Sequence, residues 1–385
     1  MDYKAAMITS LALQQTQIPE GFIDLGLGDP PPSLLPLDVI QNAAQVILAQ
    51  NNNSFLQYGV EQGYGPFRVA LSNFLSIGCG FPVQPENLLT TNGISGALDL
   101  ICDLFTETGD TIFVEEPTYF LALRIFSDHK LKIIPIQTDE SGLIIEALQE
   151  KLGTIRPKFL YIIPTFQNPT GHTLTQSRRD RLVELSKEYD FMIVADEVYQ
   201  FLSYTQQPPK SFASYTDIEN IITLGSFSKI LAPGLRLGWL HAHPEKMKAF
   251  TGCGLLDSGG GLNPFTSAIV TEILESGELD KNIGRLKSIY GERLKVMDEA
   301  LRQYLPQLKY TIPHGGYFFW VQLPDGMDAS ELRARTPAFK VDFRPGIKFS
   351  SQNQLRDYIR MGFAFYEPAK IREGIMRFAN CLKSK

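Results

Sequence analysis

The feature that most constrains this chain is a series of short, continuously apolar runs separated by stretches of helical periodicity. Thr111–Val114 (TIFV), Ile133–Ile136, Phe159–Ile163 (FLYII), Phe191–Ala195 (FMIVA) and Ile221–Leu224 are brief and rich in β-branched and aromatic residues. Runs without alternation suit strands buried on both faces, as in parallel sheets covered by helices. Between them, Gln176–Tyr189 places Leu182, Leu185 and Tyr189 at helical spacing, with Thr175 as its N-cap. This order of strand, helix and strand predicts an α/β fold, a mostly parallel sheet sandwiched by helices.

From Ile283 the pattern changes. Ile283–Tyr304 is one long amphipathic stretch, and Pro313–Leu323 (PHGGYFFWVQL) is a turn leading into an apolar strand. Tyr358–Phe365 reads as another strand and Ala369–Leu382 as a closing helix. These predict a smaller α+β domain. A chain of 385 residues also exceeds what one compact unit usually holds. The expected organisation is an N-terminal segment (1–40) packing on both domains, a large domain (41–282) and a small C-terminal domain (283–385).

Composition removes several function classes. The net charge is −6, with Lys and Arg scattered rather than striped, which predicts no nucleic-acid surface. No apolar run approaches the roughly 20 residues that span a bilayer, and MDYKAAMITSLALQQTQ lacks the apolar centre of a signal peptide. A cytoplasmic protein without a membrane partner is expected. Cys79, Cys102, Cys253 and Cys381 are far apart and read as buried, reduced side chains. His241 and His243, two apart on an expected strand, lack the further ligands of a metal site. Gly26-Leu27-Gly28 alone is no dinucleotide fingerprint.

In an open α/β sheet, ligands gather beyond the carboxyl ends of the strands. PTFQNPTG (Pro164–Gly171) follows the third run, DEVY (Asp196–Tyr199) the fourth, and GSFSK (Gly225–Lys229) with LAPGLRLGW (Leu231–Trp239) the fifth. An amide, a carboxylate with a phenol, and a lysine therefore reach one sheet edge. A lone lysine there is most often a solvated surface residue. The flanks of Lys229 are apolar or small, however, and desolvation favours the free amine that an imine-forming nucleophile needs.

Asp196 reads either as a helix cap or ion-pair member, or as the partner of a buried cation such as a protonated pyridine nitrogen. Tyr199 would then reach a phenolic oxygen on the same ring. Ser226, Ser228 and Arg236 are a donor set for a phosphate, although Arg236 serves a structural ion pair equally well. Gly93 and Ser95, in TTNGISGALDL, open an expected helix whose N-terminus favours anions.

Taken together, NPTG (Asn168–Gly171), DEVY and SFSKILAPGLRLGW (Ser226–Trp239) resemble the class I/II aminotransferases, fold-type I pyridoxal-phosphate enzymes. The likeness is greatest to their α-aminoadipate and kynurenine aminotransferase branch and runs from Ile23 to the end. That resemblance implies pyridoxal 5′-phosphate held as an imine by Lys229, which also carries the proton of the reaction. It implies that Asp196 keeps the ring nitrogen protonated, that Tyr199 and Asn168 bond the phenolic oxygen, and that Tyr119 (EEPTYF) stacks on the ring. Ser226, Ser228, Arg236, Ser95 and the amide of Ile94, after Gly93, would hold the phosphate. Tyr58 (QYGVEQGYGPFR) would reach a neighbouring subunit's phosphate, implying a homodimer. Arg360 (YIRMGF) would clamp the substrate α-carboxylate, with Gly28 (LGLGDP) and Asn168 beside it.

Two segments depart from the branch. The phosphate loop is Gly93-Ile94-Ser95 where the branch commonly has Gly-Ser-Gln, so one side-chain donor is lost or moved. Ser258–Thr266 (SGGGLNPFT) is unusually rich in glycine, either a flexible loop or an approach that turns Asn263 or Thr266 toward the cofactor.

The implied activity moves an amino group from an L-amino acid to a 2-oxo acid such as 2-oxoglutarate. Because the first arginine is Arg68, the N-terminal segment offers no guanidinium to an acidic side chain. Ile18, Phe22, Leu27, Leu34 and Leu35 are expected to line an apolar pocket for hydrophobic, aromatic or long-chain donors. A β-lyase of the same fold would use the same residues. Ser226–Lys229 also satisfies S-x-x-K, an acyl-transfer signature, but the Lys-Thr-Gly expected with it is absent. A regulatory relative that keeps the fold without the chemistry is disfavoured by the full set of catalytic side chains.

Overall fold

The apolar runs form the centre of the molecule. The computed structural model describes residues 18–215 and 217–384. The stretch MDYKAAMITSLALQQTQ, the start of the expected N-terminal segment, lies outside the described residues. A two-residue strand, β1 (Ile23–Asp24), comes first. The main sheet then contains β2 (Leu88–Thr91), β3 (Thr111–Glu116), β4 (Lys132–Asp139), β5 (Gly142–Leu143), β6 (Phe159–Ile162), β7 (Met192–Asp196), β8 (Ile221–Ser226) and β9 (Gly238–Ala242).

Their lateral order is β2-β9-β8-β7-β6-β3-β4-β5. The five strands from β4 to β8 in that row, namely β4, β3, β6, β7 and β8, are mutually parallel, and they are the five predicted runs. Every residue of β6, β7 and β8 is buried, which is why the runs show no alternation. At the edges the pairing reverses: β9 is antiparallel to both β8 and β2, and β5 to β4. Strand β9 begins inside LAPGLRLGW, which reads as a connecting motif rather than as the start of a strand.

Gln176–Tyr189 is helical as expected. Thr175 stands at its N-cap with extended backbone, but its side chain makes no capping bond; the hydroxyl lies 3.4 Å from Ser177 Oγ. The long amphipathic helix begins earlier than predicted, at Glu278, and runs to Tyr304. Leu279, Ile283, Leu286, Tyr290, Leu294, Met297 and Leu301 bury one face of it, the three- and four-residue spacing of an apolar stripe. It packs against the closing helix, Pro368–Lys383.

Strands β10 (Lys309–Tyr310), β11 (Phe318–Gln322), β12 (Val341–Asp342), β13 (Arg344–Pro345) and β14 (Tyr358–Gly362) follow. Four of them form a second, antiparallel sheet in the order β10-β11-β14-β13. The remaining one, β12, pairs in parallel with β1, Ile23 opposite Val341. The N-terminal strip is thereby bound to C-terminal elements, and Gly28 is carried to the sheet edge where the candidate residues lie.

Two smaller expectations need correction. Cys102 and Cys381 are buried, but Cys79 and Cys253 are only half-buried; all four are free. His243 lies beyond β9, not on it: its Nδ1 accepts the Glu245 amide at 3.3 Å and caps the helix Pro244–Thr251.

Candidate active site

Parallel pairing of β7 with β8 sets Asp196 opposite Leu224, so the chain beyond each strand emerges at one edge. Lys229 lies three residues past the end of β8, with 16% of its side chain exposed. Its Nζ donates to the Gly28 carbonyl at 2.8 Å and lies 3.6 Å from Asp29 Oδ1. Tyr317 Oη donates to the Lys229 carbonyl at 3.2 Å and fixes the backbone from behind. Burial holds the ammonium below the usual lysine range; Asp29 opposes this, and the charges of Arg360 and Arg236 add to it. The surface-lysine reading fails here on burial.

Asp196 is 3% exposed. Its Oδ2 accepts Tyr161 Oη at 2.8 Å and its Oδ1 accepts the Val198 amide at 3.2 Å, both neutral donors. Burial pushes the carboxyl up to about 6 against those bonds. Its hydrogen-bond donors are neutral and only the charge of Lys229 helps from further off, so a cation at this carboxylate would be favoured. Tyr199, also buried, packs its ring on Tyr317 and Phe318. Tyr119 sits at the start of the helix Phe120–Asp128; burial raises its phenol to about 12, and its hydroxyl feels the charges of Arg360, Asp196, Asp29 and Arg236.

Arg360, in β14, is 3% exposed and sits in an aromatic cage, its guanidinium carbon 3.9 Å from the Phe318 ring centre and 4.9 Å from that of Phe349. Nη1 donates to Asn168 Oδ1 and Nη2 to the Gly26 carbonyl, each at 2.7 Å. Nε is buried with no hydrogen-bond partner among the described residues. Burial lowers the group to about 10, so it stays cationic at neutral pH while its recorded partners are neutral. A caged cation of this kind is chemically suited to a carboxylate. A Cβ added at Gly28 would stand 3.0 Å from the Phe318 ring and 3.7 Å from Arg360 Nη2, filling the space beside the guanidinium.

Asn168 is itself held by groups that single motifs do not expose. Gln167 Nε2 donates to the Pro117 carbonyl at 2.7 Å and to Glu115 Oε2 at 3.3 Å, while Gln167 Oε1 accepts the amide and hydroxyl of Thr170. Glu115 Oε2 also accepts the Ile163 amide at 2.8 Å, and burial pushes this carboxyl up to about 8.

The donor cup forms at the rim. The helix Gly93–Phe105 begins there, with Ile94 half-buried and Ser95 exposed. Arg236 donates to the Asn92 carbonyl at 3.0 Å and to the Pro233 carbonyl at 3.3 Å, so its bonds go to backbone and not to an ion pair. Ser226 Oγ bonds Ser228 Oγ at 2.9 Å and accepts the Ser228 amide at 3.1 Å. Asn263 lies behind the cup: its Nδ2 donates to Asn92 Oδ1 at 2.8 Å and to the Arg236 carbonyl at 2.6 Å.

Tyr58 stands apart, 84% exposed. The expected apolar pocket does not form as a unit. Leu34 is packed in the main core, and Phe22 lines a separate groove with Val341 and Ile347.

The constellation offers a carboxylate suited to a cation at Asp196, a set of donors suited to an anion at Ser226, Ser228 and Arg236, and a buried amine at Lys229 that can add to a carbonyl. Pyridoxal phosphate combines a pyridine nitrogen, a phosphate and a carbonyl in one molecule, and the class so defined is that of the fold-type I pyridoxal-phosphate enzymes. Residues 20–378 match the family model for aminotransferase class I and II. Aromatic-amino-acid aminotransferase 1 of Thermococcus litoralis is 36% identical over 371 residues, 94% of this chain and 88% of that protein.

The kynurenine aminotransferase of Pyrococcus horikoshii superposes with a TM-score of 0.89 at 33% identity, covering 100% of this chain and 95% of that one. LysN, the α-aminoadipate aminotransferase of Thermus thermophilus, solved with N-(5′-phosphopyridoxyl)-L-leucine, gives 0.86 at 30% identity, covering 100% and 98%. The chain belongs to the class I and II aminotransferases, and pyridoxal 5′-phosphate is its cofactor.

Proposed function

We propose that this aminotransferase takes the amino group from L-amino acids with hydrophobic, aromatic or long side chains. The acceptor is a 2-oxo acid such as 2-oxoglutarate, and the enzyme acts as a homodimer in the cytoplasm. One observation carries the reading. Lys229 Nζ lies 2.8 Å from the carbonyl of Gly28, the residue that leaves space beside the caged Arg360 guanidinium. The amine therefore stands next to the place where an α-carboxylate docks.

Bound pyridoxal phosphate supplies an electron sink and a carbonyl carbon that accepts an amino group. The chain does the rest. Lys229 Nζ holds the cofactor, and when released takes up and returns the substrate α-proton, a task its burial suits. Asp196 holds a proton on the ring nitrogen, with Tyr161 and the Val198 amide fixing its carboxylate. Tyr199 and Asn168 would bind the cofactor's phenolic oxygen, and Tyr119 would stack on its ring. Ser226, Ser228, Arg236, Ser95 and the amide of Ile94 receive the phosphate at the cup. Arg360 orients the substrate carboxylate, with Gly28 beside it.

Donor preference draws support from the aromatic wall of Phe318 and Phe349 around Arg360. The relatives' own specificities, aromatic amino acids and kynurenine, together with the leucine adduct of LysN, agree with it. The dimer reading is supported by apolar side chains left exposed on neighbouring segments, Leu56, Tyr58, Val60, Leu255 and Phe265. Four free cysteines fit a reducing compartment.

The test is a donor panel with 2-oxoglutarate, following glutamate formation. Phenylalanine, leucine or methionine should turn over well; turnover of aspartate alone would sink the donor preference. Release of ammonia and pyruvate in place of glutamate would mark a β-lyase.

A further inference from the structure

The glycine-rich segment that departs from the branch has a definite place. A Cβ added at Gly260 would fall 2.2 Å from the Gly59 carbonyl oxygen, and one at Gly261 would fall 2.2 Å from Gly63 Cα and 2.4 Å from the Val60 carbonyl oxygen. The Gly261 amide donates to that Val60 carbonyl at 2.7 Å, and the Gly63 amide donates to it at 2.8 Å. Two backbones thus meet with no room for a side chain between them. One belongs to the segment that begins at Tyr58. The other continues two residues further to Asn263, whose amide is bonded to Asn92 and Arg236 behind the cup.

A path of direct contacts therefore joins the cup to the Tyr58 segment: Arg236 and Asn92, then Asn263, then Gly261–Gly260, then Gly59–Gly63. Tyr58 itself is 84% exposed. The glycines are needed at the tightest contact. Any larger residue at 260 or 261 must push the two backbones apart, because the atoms it would strike are backbone atoms that no rotamer change can move.

We propose that this clasp is a positioning element that couples each chain's own phosphate cup to the tyrosine it lends to its partner. The proposal rests on the dimer reading above. On this account the clasp, and not Tyr58's immediate neighbours alone, sets where the phenol arrives at the partner's phosphate. A lesion at Gly261 then damages the other subunit's site.

Mixed dimers carrying two different tags separate the two effects. In one hybrid, an unaltered chain is paired with a Lys229→Ala chain. In the second, the paired chain carries Lys229→Ala and Gly261→Ala. In both, the only lysine-linked, visible chromophore is on the unaltered chain, which receives Tyr58 from the altered one. Cofactor loss from that chromophore, followed by absorbance during dialysis, should be about tenfold faster in the second hybrid, the effect of one lost hydrogen bond to a charged group.

Asn263→Gly in place of Gly261→Ala suits the left-handed backbone there (φ 51°), removes only the side-chain bonds to Asn92 and Arg236, and should act in the same direction, which covers the case where Gly261→Ala fails to fold. Equal loss rates in hybrids with and without the clasp lesion would overturn the proposal. Sedimentation of the unaltered protein is read separately: a monomer removes the dimer reading, and this inference with it.

Discussion

Arg360 Nη1 donates to Asn168 Oδ1 at 2.7 Å, joining a strand of the small antiparallel sheet to the loop after β6 across 192 residues of chain. The amide expected at the cofactor and the guanidinium expected at the substrate are thus one hydrogen-bonded unit. A substrate carboxylate that engages Arg360 also acts on Asn168.

Arg360→Lys tests that unit. A lysine is a single compact donor and cannot serve Asn168, Gly26 and a carboxylate from one plane. The expected result is a fall in kcat/KM for both amino acid and oxo acid of about 10- to 100-fold, or about 1.5–3 kcal/mol, while the visible cofactor band persists. An unchanged KM for both substrates would remove Arg360 from the carboxylate site.

Asp196 makes a prediction in pH. Its folded value of about 6 lies above the ordinary 3.8. For a carboxyl shifted upward, the stabilisation belongs to the protonated form: it is complete below the unfolded value and lost as pH rises through the folded one. Without cofactor, this group therefore lowers the melting temperature as pH climbs from about 3.8 to about 6. A bound cation offsets that loss, so the gap between holo and apo melting temperatures should widen over the same window. In Asp196→Asn the widening should shrink, and kcat should fall by about 100-fold. Identical pH profiles for Asp196→Asn and the unaltered protein would contradict the assignment.

Glu115 repeats the logic on the alkaline side. Burial raises it from 4.5 to about 8, so its contribution is lost as pH rises through that value. Glu115→Gln is predicted to flatten the decline in melting temperature between about pH 4.5 and 8. Glu115→Ala leaves the Ile163 amide and one Gln167 donor without an acceptor and should destabilise by about 1–3 kcal/mol at neutral pH. A thermal melt series across pH separates the two variants.

The legible part of the fold was whatever is buried on both faces. The five parallel strands carry no alternation because helices cover both sides, and that pattern survives in the residues alone. Strand β9 hid because Gly238-Trp239 closes a loop motif. Lys229, Asp196 and Asn168 could be read because each lies at or within a few residues of its strand's carboxyl end.

Their supports could not. Tyr161 sits in the run FLYII and looks like core until its hydroxyl is seen on Asp196; a phenol buried in an apolar strand was the available signal, since such a group needs a partner. Tyr317 acts on Lys229 from 88 residues away, and Glu115 on Gln167 from 52. No local pattern reports contacts made by topology. Asn263 was one of two candidates to face the cofactor, and its bonds to Asn92 and Arg236, both distant in sequence, were not legible.

The central claim is that Lys229 Nζ is the amine that holds the cofactor. The holoprotein should be reduced with borohydride and digested, and the phosphopyridoxyl-bearing peptide sequenced by mass spectrometry. The account predicts the label on Lys229 and no reducible adduct in Lys229→Ala. A label on another lysine of the unaltered protein, or cofactor bound with no covalent adduct, would contradict it.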